Sequence, residues 1–314
     1  MCEAVCSQAG VPLEAISLQR EYQDHVVSYL VDEAAAGRTP NPDVMCNSRI
    51  KFGVFHDRIG VHFARVASGH YARVERGVGD GAAAKLLRSA DAHKDQTYFL
   101  SQLRQDQLQS TVFPIGALSK PEVRHMALRL GLPNRNRKDS QGICFLGQLN
   151  YDDFLRQHLG ERPGEVLEYE TGECIGTHRG LWFHTVGQRR GLGPVLSNAY
   201  RARGPWHVVS KDYDRNTLYA TRSYLADDKV RDEFTADAIN WIAGKAPDGA
   251  SNGEPLALQV KVRHGEHTHK ALVSMANDGL SAHVRLEKRD KGLAPGQFGA
   301  PAGPAPPAVL CCPL

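Results

Sequence analysis

An aspartate and a cysteine three residues apart form the first place where this sequence could perform chemistry. They lie in residues 37–47, GRTPNPDVMCN, where two prolines flank an asparagine and favour an extended or turning backbone. If a helix begins near Asp43, Cys46 shares its first turn, where the helix dipole favours the nucleophilic thiolate and the carboxylate can hold or move a proton. The spacing also fits a buried structural cysteine with Asp43 as a simple N-cap, so both interpretations remain open.

A second cysteine follows a strongly basic stretch. Cys144 lies in residues 138–147, KDSQGICFLG, between glycines that favour a tight, exposed backbone. The basic residues ahead of it are Arg124, Arg129, Arg135, Arg137 and Lys138. Such a patch can bind phosphates or lower the pKa of a nearby thiol, whereas a solvated helix face followed by a loop cysteine explains it without chemistry. Spacing alone does not show whether Cys46 and Cys144 meet.

Three further clusters suit the binding of a polar ligand or a nucleic acid. Residues 93–100 (HKDQTYFL) place charged and amide groups ahead of an aromatic run, residues 68–71 (SGHY) follow a predicted strand, and residues 185–193 (TVGQRRGLG) form a glycine-framed basic loop. Each also has a purely structural explanation: a helix start capped by Asp95, a turn at a strand end, and a β-turn with exposed arginines. The 14 histidines show no metal-binding spacing, so no metal site is predicted.

The composition is that of an ordinary globular protein of two or three domains. The 314 residues are 41% hydrophobic and 23% charged, and their net charge of +3 is too small to indicate a nucleic-acid partner by itself. No apolar run approaches the length of about 18 residues that a membrane-spanning helix needs, so no membrane partner is expected. Seven cysteines without a CxxC pair favour a reducing compartment over a disulfide scaffold. The first residues show neither a secretory signal nor a transit peptide.

The elements that must position the first two clusters alternate between helix and strand. Residues 1–36 predict a helix, a short strand and a second helix, and residues 61–68 predict a strand. Residues 119–131 predict the clearest helix, because Ser119 and Glu122 form a capping box ahead of an apolar stripe. This alternation favours an open, mostly parallel sheet up to about residue 149.

The second half of the chain predicts short strands separated by glycine, proline, asparagine and aspartate. The candidates are GEVLEY, LWFHTV, WHVVSK and TLYAT, followed by the more strictly alternating ALQVKVRH, KALVSM and SAHVRLEK. This pattern favours small β domains or a barrel. The tail, GAPAGPAPPAVLCCPL, is rich in alanine, proline and glycine and is expected to be disordered.

Taken together, the clusters resemble the tRNA-specific 2-thiouridylases of the PP-loop ATP-pyrophosphatase superfamily over residues 1–298. The motifs, in the family's order, are GRTPNPDVMCNSRIKFG, ASGHYAR, KDQTYFLSQL, DSQGICFLG, HTVGQRRGLG, KVRHG and APGQF. The resemblance implies an α/β fold. An N-terminally truncated PP-loop domain, Rossmann-like and of the adenine nucleotide alpha-hydrolase-like type, precedes a small central domain and an incomplete C-terminal β-barrel. The expected boundaries are 1–149, 150–218 and 219–298, with a disordered tail over 299–314.

The resemblance also implies an activity, the transfer of sulfur to C2 of the wobble uridine in tRNA. In this family ATP, with Mg²⁺, adenylates the C2 oxygen, and a cysteine persulfide then delivers the sulfur. By motif match, Cys144 carries the persulfide. Cys46 is the second thiol, which releases the sulfur and can end in a disulfide with Cys144, while Asp43 is the acid or base. An iron–sulfur cluster has been argued for some relatives, and these three residues could supply three ligands to it.

The resemblance further implies the binding residues and the partners. Asn41 and Pro42, with Asp43, are expected to touch the target base, and Gly69 is expected to border the ATP site. The residues expected to contact tRNA elsewhere are His70, Lys94, Asp95, Gln96, Arg263, His264 and Gln297. The expected partners are the wobble-uridine tRNAs for lysine, glutamate and glutamine and an upstream sulfur donor such as a cysteine desulfurase or a relay protein. KVRHG and GPWHVVSKD look more like organellar members, which favours a mitochondrion or plastid over the runner-up, a bacterial cytoplasm.

One family motif is missing from the 314 residues. Members begin with a strand and an SGGVDSS-type loop whose backbone N–H groups cradle the ATP phosphates. The sequence as written is therefore expected to be a fragment, a faulty gene model or a degenerate protein that binds ATP poorly and is less stable than a complete member. Two alternative functions follow. One is a tRNA-binding remnant without activity. The other is a thiol redox protein that uses Cys46 and Cys144, against which the absence of CxxC argues.

Overall fold

The chain combines a helical N-terminal part with a mixed four-stranded β-sheet and an antiparallel seven-stranded β-sheet. A computed structural model describes residues 1–77, 82–138, 150–224, 231–247, 254–290, 292–301 and 308–311. No helix in these ranges has the length and apolar character needed to cross a membrane.

Nine α-helices lie in the described residues, and most are short. They are α1 (Cys2–Ala9), α2 (Gln19–Tyr22), α3 (Ser28–Ala35), α4 (Pro42–Met45), α5 (Phe55–Arg58), α6 (Gln105–Ser110), α7 (Lys120–Arg129), α8 (Tyr151–Leu159) and α9 (Asn198–Arg201). Two π-helical segments, Gln23–Val27 and Cys46–Val54, join α2 to α3 and α4 to α5. Short 3₁₀ turns lie at Gly60–His62, Thr97–Leu100, Leu181–Phe183 and Gly193–Val195.

The described strands form two small two-stranded sheets and two larger sheets. They are β1 (Val66–Ala67), β2 (Ala72–Glu75), β3 (Lys85–Arg88), β4 (Thr111–Val112), β5 (Gly164–Glu168), β6 (Cys174–His178), β7 (His207–Asp212), β8 (Thr217–Thr221), β9 (Arg231–Ala236), β10 (Asn240–Trp241), β11 (Leu256–Lys261), β12 (His269–Met275), β13 (Ala282–Asp290), β14 (Phe298–Pro301) and β15 (Ala308–Cys311). The four-stranded sheet has the order β6-β5-β8-β7, and the seven-stranded sheet has the order β10-β15-β14-β11-β12-β13-β9.

The N-terminal part keeps the predicted helices but few of the predicted strands. Helix formation from α2 through α3 confirms the second helix, which ends at Gly37 with φ of 81°. The predicted strand between α1 and α2 is wrong, because residues 10–18 are irregular and Val11 is 52% exposed with no neighbouring strand to pair with. Of the parallel sheet that the sequence predicts up to residue 149, the described residues contain one parallel pair, β1 and β4, in which Val66 pairs with Thr111.

Helix α7 begins where the sequence predicts. Ser119 Oγ accepts a hydrogen bond from Glu122 N at 3.5 Å, and the Glu122 carboxylate accepts one from Ser119 N at 2.7 Å, which confirms the capping box. None of the residues of α7 is buried, however, and Met126 is 39% exposed. The apolar stripe of this helix therefore does not enter a core of the described residues.

Most of the strands predicted in the second half are confirmed, with two differences. The LWFHTV segment contains a 3₁₀ turn at Leu181–Phe183 in place of a strand, with Leu181 packed in the central core and Phe183 in the N-terminal core. The second difference lies in the described residues of the tail, 299–301 and 308–311, where β14 pairs with β11 and β15 pairs with β14; the rest of the tail lies outside the described residues. Both strands lie inside the seven-stranded sheet, β15 between β10 and β14, and β14 between β15 and β11.

Candidate active site and nucleic-acid interface

A cavity of about 670 Å³ brings together residues from distant parts of the chain. Its walls come from the α4 region, the end of β1, residues 93–99, the start of α7 and the loop after β11. Six of the residues to which the family resemblance assigns a role line it: Asp43, Gly69, His70, Lys94, Gln96 and His264. The volume lies in the range of ordinary ligand pockets.

Asp43 lies in the first turn of α4, as the sequence predicts, but it is not the N-cap. That position belongs to Asn41, whose Oδ1 accepts a hydrogen bond from Val44 N at 3.3 Å. Asn41 N in turn donates to Tyr29 Oη at 3.2 Å, and Pro42 occupies the first turn, where its missing N–H costs nothing. The Asp43 carboxylate is therefore not needed to cap the helix. Its Oδ1 is buried and has no hydrogen-bond partner among the described residues.

The loop that carries Asp43 is fixed by contacts with the N-terminal, central and C-terminal parts of the chain. Arg38 pairs with Glu33 at 2.5 Å, which fixes it to α3. Thr39 N donates to Pro295 O at 2.6 Å, which fixes it to the loop before β14. At Gly37, a Cβ would lie 2.3 Å from the ring of Tyr213 in the central domain, so only glycine fits there.

Replacing Gly296 with alanine is expected to destabilise the protein through this loop. Gly296 has φ of +81°, and a Cβ there would lie 2.7 Å from Arg38 Cβ and 2.9 Å from Thr39 N. Gly279→Ala is the matched control, because Gly279 has φ of +65° but no heavy atom within 4 Å of the added Cβ. The control should cost about 1 kcal/mol from the left-handed backbone, and Gly296→Ala about 1–3 kcal/mol more from crowding. Urea unfolding measures both; equal losses would show that the contact with the Arg38 loop is not tight.

Cys46 lies one helical turn after Asp43, but it does not line the cavity. It is fully buried, in a core that also contains Val44 and Phe298. This burial agrees with the structural interpretation of the residue, and its role in catalysis stays a prediction. Cys144 lies outside the described residues. Lys138, the last described residue before it, lines the cavity.

Asn47 is a cavity residue that the sequence reasoning missed. It is only 2% exposed, and its Nδ2 donates a hydrogen bond to Phe99 O at 3.1 Å. Its Oδ1 is buried without a hydrogen-bond partner among the described residues, like Oδ1 of Asp43 four positions earlier. Two residues of the same cavity wall thus each have a buried acceptor oxygen without a hydrogen-bond partner among the described residues. The signal in the sequence was the spacing of four, which places both side chains on one face of a helix.

Two residues of segment 94–96 line the cavity, and the residue between them is buried inside the protein. Lys94 and Gln96 line the cavity, and Gln96 Oε1 accepts a hydrogen bond from Tyr71 N at 2.9 Å. Asp95, expected to contact tRNA, instead lies inside the protein with 1% exposure. Its carboxylate accepts hydrogen bonds from Lys261 Nζ at 2.8 Å and from Arg88 Nε at 3.1 Å. The structure therefore gives Asp95 an internal partner in place of a solvent-facing position.

His70 is a neutral group at the cavity wall. Burial, together with the nearby charge of Lys51, lowers the pKa of His70 to about 3. Its Nδ1 lies 2.7 Å from Ser68 Oγ, and its ring packs 5.8 Å from that of Phe52. Beside it, Gly69 has no heavy atom within 4 Å of the position a Cβ would take, so its backbone is open toward the cavity.

The loops of the C-terminal domain contribute one of their three predicted residues to the cavity. The ring of His264 lies 4.5 Å from that of Phe99 and lines the cavity. Burial and the charge of Lys261 lower the pKa of His264. They outweigh the carboxylates of Asp95 and Asp43, which act to raise it.

The other two predicted residues of the C-terminal domain, and the two of the Asp43 loop, lie outside the cavity. Arg263 pairs with Asp290, and Gln297 Oε1 accepts a hydrogen bond from Ala294 N at 3.3 Å. Neither of them, nor Asn41 or Pro42, lines this cavity.

The cavity is strongly basic. Seven lysine and arginine side chains line it against one carboxylate, that of Asp43; they are Lys51, Lys94, Lys120, Arg124, Arg135, Arg137 and Lys138. Four of them belong to the basic stretch that the sequence singled out ahead of Cys144. This concentration of charge suits a polyanion, although the net charge of the whole chain is only +3. Within the described ranges, no group of three or more His, Cys, Asp or Glu side chains is placed to hold a metal ion.

Comparisons with known proteins match almost the whole chain. Three family models match it in order: a tRNA methyl transferase HUP domain over residues 1–148, a tRNA methyl transferase PRC-barrel domain over 152–222, and an aminomethyltransferase beta-barrel domain over 231–300. The α/β architecture with its central domain and C-terminal sheet is the one that the sequence predicts.

Several curated proteins are similar to the chain over most of its length. The tRNA-specific 2-thiouridylase MnmA 2 of Bacteroides fragilis is 44% identical over 296 residues, 94% of this chain and 80% of that protein. MnmA 1 of Bacteroides thetaiotaomicron is 43% identical over 300 residues, covering 95% and 81%. MnmA of Porphyromonas gingivalis is 41% identical over 296 residues, covering 94% and 79%.

Proposed function

Since the chain belongs to the tRNA-specific 2-thiouridylase family, we propose that it transfers sulfur to C2 of the wobble uridine of tRNA in an ATP-dependent reaction. The observation that carries the proposal is the basic cavity with Asp43 at its wall. Seven cationic side chains suit the phosphates around a target base, and the two leftover acceptor oxygens suit a base that carries an N–H group.

Asp43 and Asn47 are the residues we assign to the base. Uracil carries a proton on N3, and its C2 oxygen becomes a better nucleophile when that proton leaves. Before the transfer Asn47 Oδ1 shares the N3–H as a second acceptor, because Nδ2 of Asn47 is already fixed to Phe99 O, and Asp43 Oδ1 then takes the proton. Cytosine carries a lone pair at N3 in place of the N–H, so the Asp43 carboxylate facing N3 disfavours it.

ATP is the expected co-substrate, with Mg²⁺. We place it beyond the carboxyl end of β1, where the open backbone at Gly69 fits a close-lying ligand. When bound, it supplies the adenylyl group that turns the C2 oxygen into a leaving group.

Two thiols complete the proposed reaction. A sulfur donor such as a cysteine desulfurase or a relay protein loads Cys144 with a persulfide, whose outer sulfur attacks C2 and displaces AMP. The thiol of Cys46 then attacks Sγ of Cys144, which breaks the sulfur–sulfur bond, frees the thiouridine and leaves a Cys46–Cys144 disulfide. Because Cys46 is fully buried, this last step requires its side chain to become accessible. The same burial disfavours general disulfide exchange, the thiol redox alternative.

Arg124→Gln is expected to weaken tRNA binding, whereas Arg129→Gln is not. Both arginines are exposed on α7, but only Arg124 lines the cavity. Loss of one phosphate contact should lower affinity to a similar degree for all tRNA sequences and reduce the slope of log affinity against log salt by about 1. Fluorescence anisotropy at several salt concentrations measures this. If the two variants have equal salt slopes, the cavity rim is not the phosphate-binding surface.

Sulfur incorporation into tRNA tests the proposed function. The chain is incubated with ATP, Mg²⁺, a persulfide donor and a tRNA with uridine at the wobble position; the control tRNA carries cytidine there. We expect radioactive sulfur in the first tRNA alone. Binding without sulfur transfer would instead support the tRNA-binding alternative, and absence of both would overturn the assignment.

The expected setting is a bacterial cytoplasm, with the wobble-uridine tRNAs for lysine, glutamate and glutamine as substrates. The relatives named above are bacterial proteins. They give no support to the location in a mitochondrion or plastid that two motifs favoured.

A further inference from the structure

A smaller cleft adjoins the loop that carries Asp43. It has a volume of about 350 Å³ and is enclosed by the Arg38 loop, the start of α8 and the segment 182–188 of the central domain. Pro42, Trp182, His184 and Gln188 are among the residues that line it. The cleft therefore includes part of the glycine-framed loop, residues 185–193, which the cavity at Asp43 does not use.

Two residues that line this cleft each have a buried polar atom without a partner. Nε1 of Trp182 and Nδ1 of His184 are buried, and neither has a hydrogen-bond partner among the described residues. The whole His184 residue is only 5% exposed. Burial, reinforced by the charges of nearby basic groups, lowers the pKa of His184 to about 4, so its ring is neutral at physiological pH. Buried polar groups are nearly always hydrogen-bonded, and two unpaired ones on residues that line the same cleft point to a ligand.

The position of the cleft indicates what that ligand is. Pro42 lines the cleft and Asp43 lines the larger cavity, so the two spaces are separated by adjacent residues whose Cα atoms lie about 3.8 Å apart. A polynucleotide with one base at Asp43 can therefore place a neighbouring base in the cleft. The exposed Arg189 and Arg190 follow Gln188 directly and suit the connecting phosphates. A volume of about 350 Å³ fits a single base but not a helix or an extended peptide.

We propose that this cleft binds the base of the nucleotide next to the target uridine. The indole N–H of Trp182 donates to an acceptor on the base edge, and Nδ1 of His184 completes the edge contact. The apolar rings of Pro40 and Pro42 lie against the face of the base. The inference rests on the proposed function in one respect, namely that the ligand is the substrate RNA.

Trp182→Phe combined with abasic RNA tests the contact. Phenylalanine keeps an aromatic ring but removes the N–H donor. Affinities are measured by anisotropy for an anticodon stem-loop RNA that is intact, abasic on the 5′ side of the target uridine, or abasic on its 3′ side. We expect the variant to bind the intact RNA about fivefold more weakly, the usual value of one hydrogen bond. It should bind one of the two abasic RNAs as well as the unchanged protein does. An equal loss for all three RNAs, or no loss for any, would overturn the proposal.

Trp206→Phe is the matched control. Its Nε1 donates to Tyr200 O at 2.9 Å inside the central domain, and it does not line the cleft. Removing this N–H should lower the melting temperature without changing the affinity for any of the three RNAs.

A fluorescent base provides a measurement on the unchanged protein. 2-Aminopurine is placed on the 5′ or the 3′ side of the target uridine, and its fluorescence is followed as protein is added. We expect a change at one of the two positions, and free-RNA fluorescence at both would contradict base binding in the cleft. If the unchanged protein does not bind the intact RNA, the proposed function fails as well. If it binds but shows neither effect, this inference alone fails.

Discussion

Asp43→Asn is expected to reduce the rate of wobble-uridine thiolation about a thousandfold, within the range that a positioned acid or base contributes. The amide keeps the shape of the side chain but cannot take the N3 proton. No described side chain donates to the buried Oδ1, so the substitution breaks no internal hydrogen bond there. Folding should therefore be unaffected while the reaction is lost.

The measurements for Asp43→Asn are the initial rate of sulfur incorporation, the affinity for tRNA and the melting temperature. Asp32→Asn is the matched control, because it removes one negative charge from an exposed position on α3 outside the cavity. The control should retain the full rate. A thiolation rate of Asp43→Asn within about tenfold of that of the unchanged protein would exclude Asp43 as the general base, given the usual size of this effect.

Lys261→Met is expected to lower the free energy of unfolding by about 3–5 kcal/mol, the cost of leaving a buried charge without its partner. The side chains of Lys261 and Asp95 are 2% and 0% exposed, and Nζ lies 2.8 Å from Oδ2. This pair joins β11 to the segment that carries Lys94 and Gln96. The same change should therefore also disturb the wall of the cavity and weaken tRNA binding.

An exposed ion pair controls for the loss of charge. Lys85 and Glu75 lie 3.0 Å apart, and each side chain is 56% exposed, so Lys85→Met should change the free energy of unfolding by less than about 1 kcal/mol. The double variant Asp95→Asn with Lys261→Met should recover part of the loss, because no charge is then left buried. Chemical denaturation measures all three. Similar losses for Lys261→Met and Lys85→Met would show that the buried pair contributes little.

The buried pair also predicts the direction of a pH dependence. Burial acts to raise the pKa of Asp95, but the hydrogen bond and charge of Lys261, with help from Thr97 and Ser89, outweigh it and lower the pKa below its ordinary value of 3.8. A carboxyl group with a lower pKa in the folded state stabilises the fold above the unfolded pKa. This contribution is lost as pH falls through the folded pKa. Acid should therefore destabilise the protein below about pH 4, and less so in the double variant.

Local signals in the sequence predicted several elements correctly. The capping box of Ser119 and Glu122 located the start of α7, and Gly37 located the end of the second helix. Strict alternation located β11, β12 and β13. These features depend on residues within a few positions of one another, so the sequence contains the whole interaction. The family resemblance rests likewise on short motifs, and it also picked out six residues that line one cavity.

Only the tertiary structure decided which side chains face the cavity. Lys94, Asp95 and Gln96 are consecutive, yet Asp95 alone points inward, because its partner Lys261 lies 166 positions further along the chain. A buried carboxylate needs such a partner, and no local pattern shows where the partner is. The cleft between Pro42 and Trp182 arises in the same way, from segments that meet only after folding. The sequence by itself thus determined which residue types are available for chemistry. The packing of distant segments decided their burial, their charge environment and their neighbours.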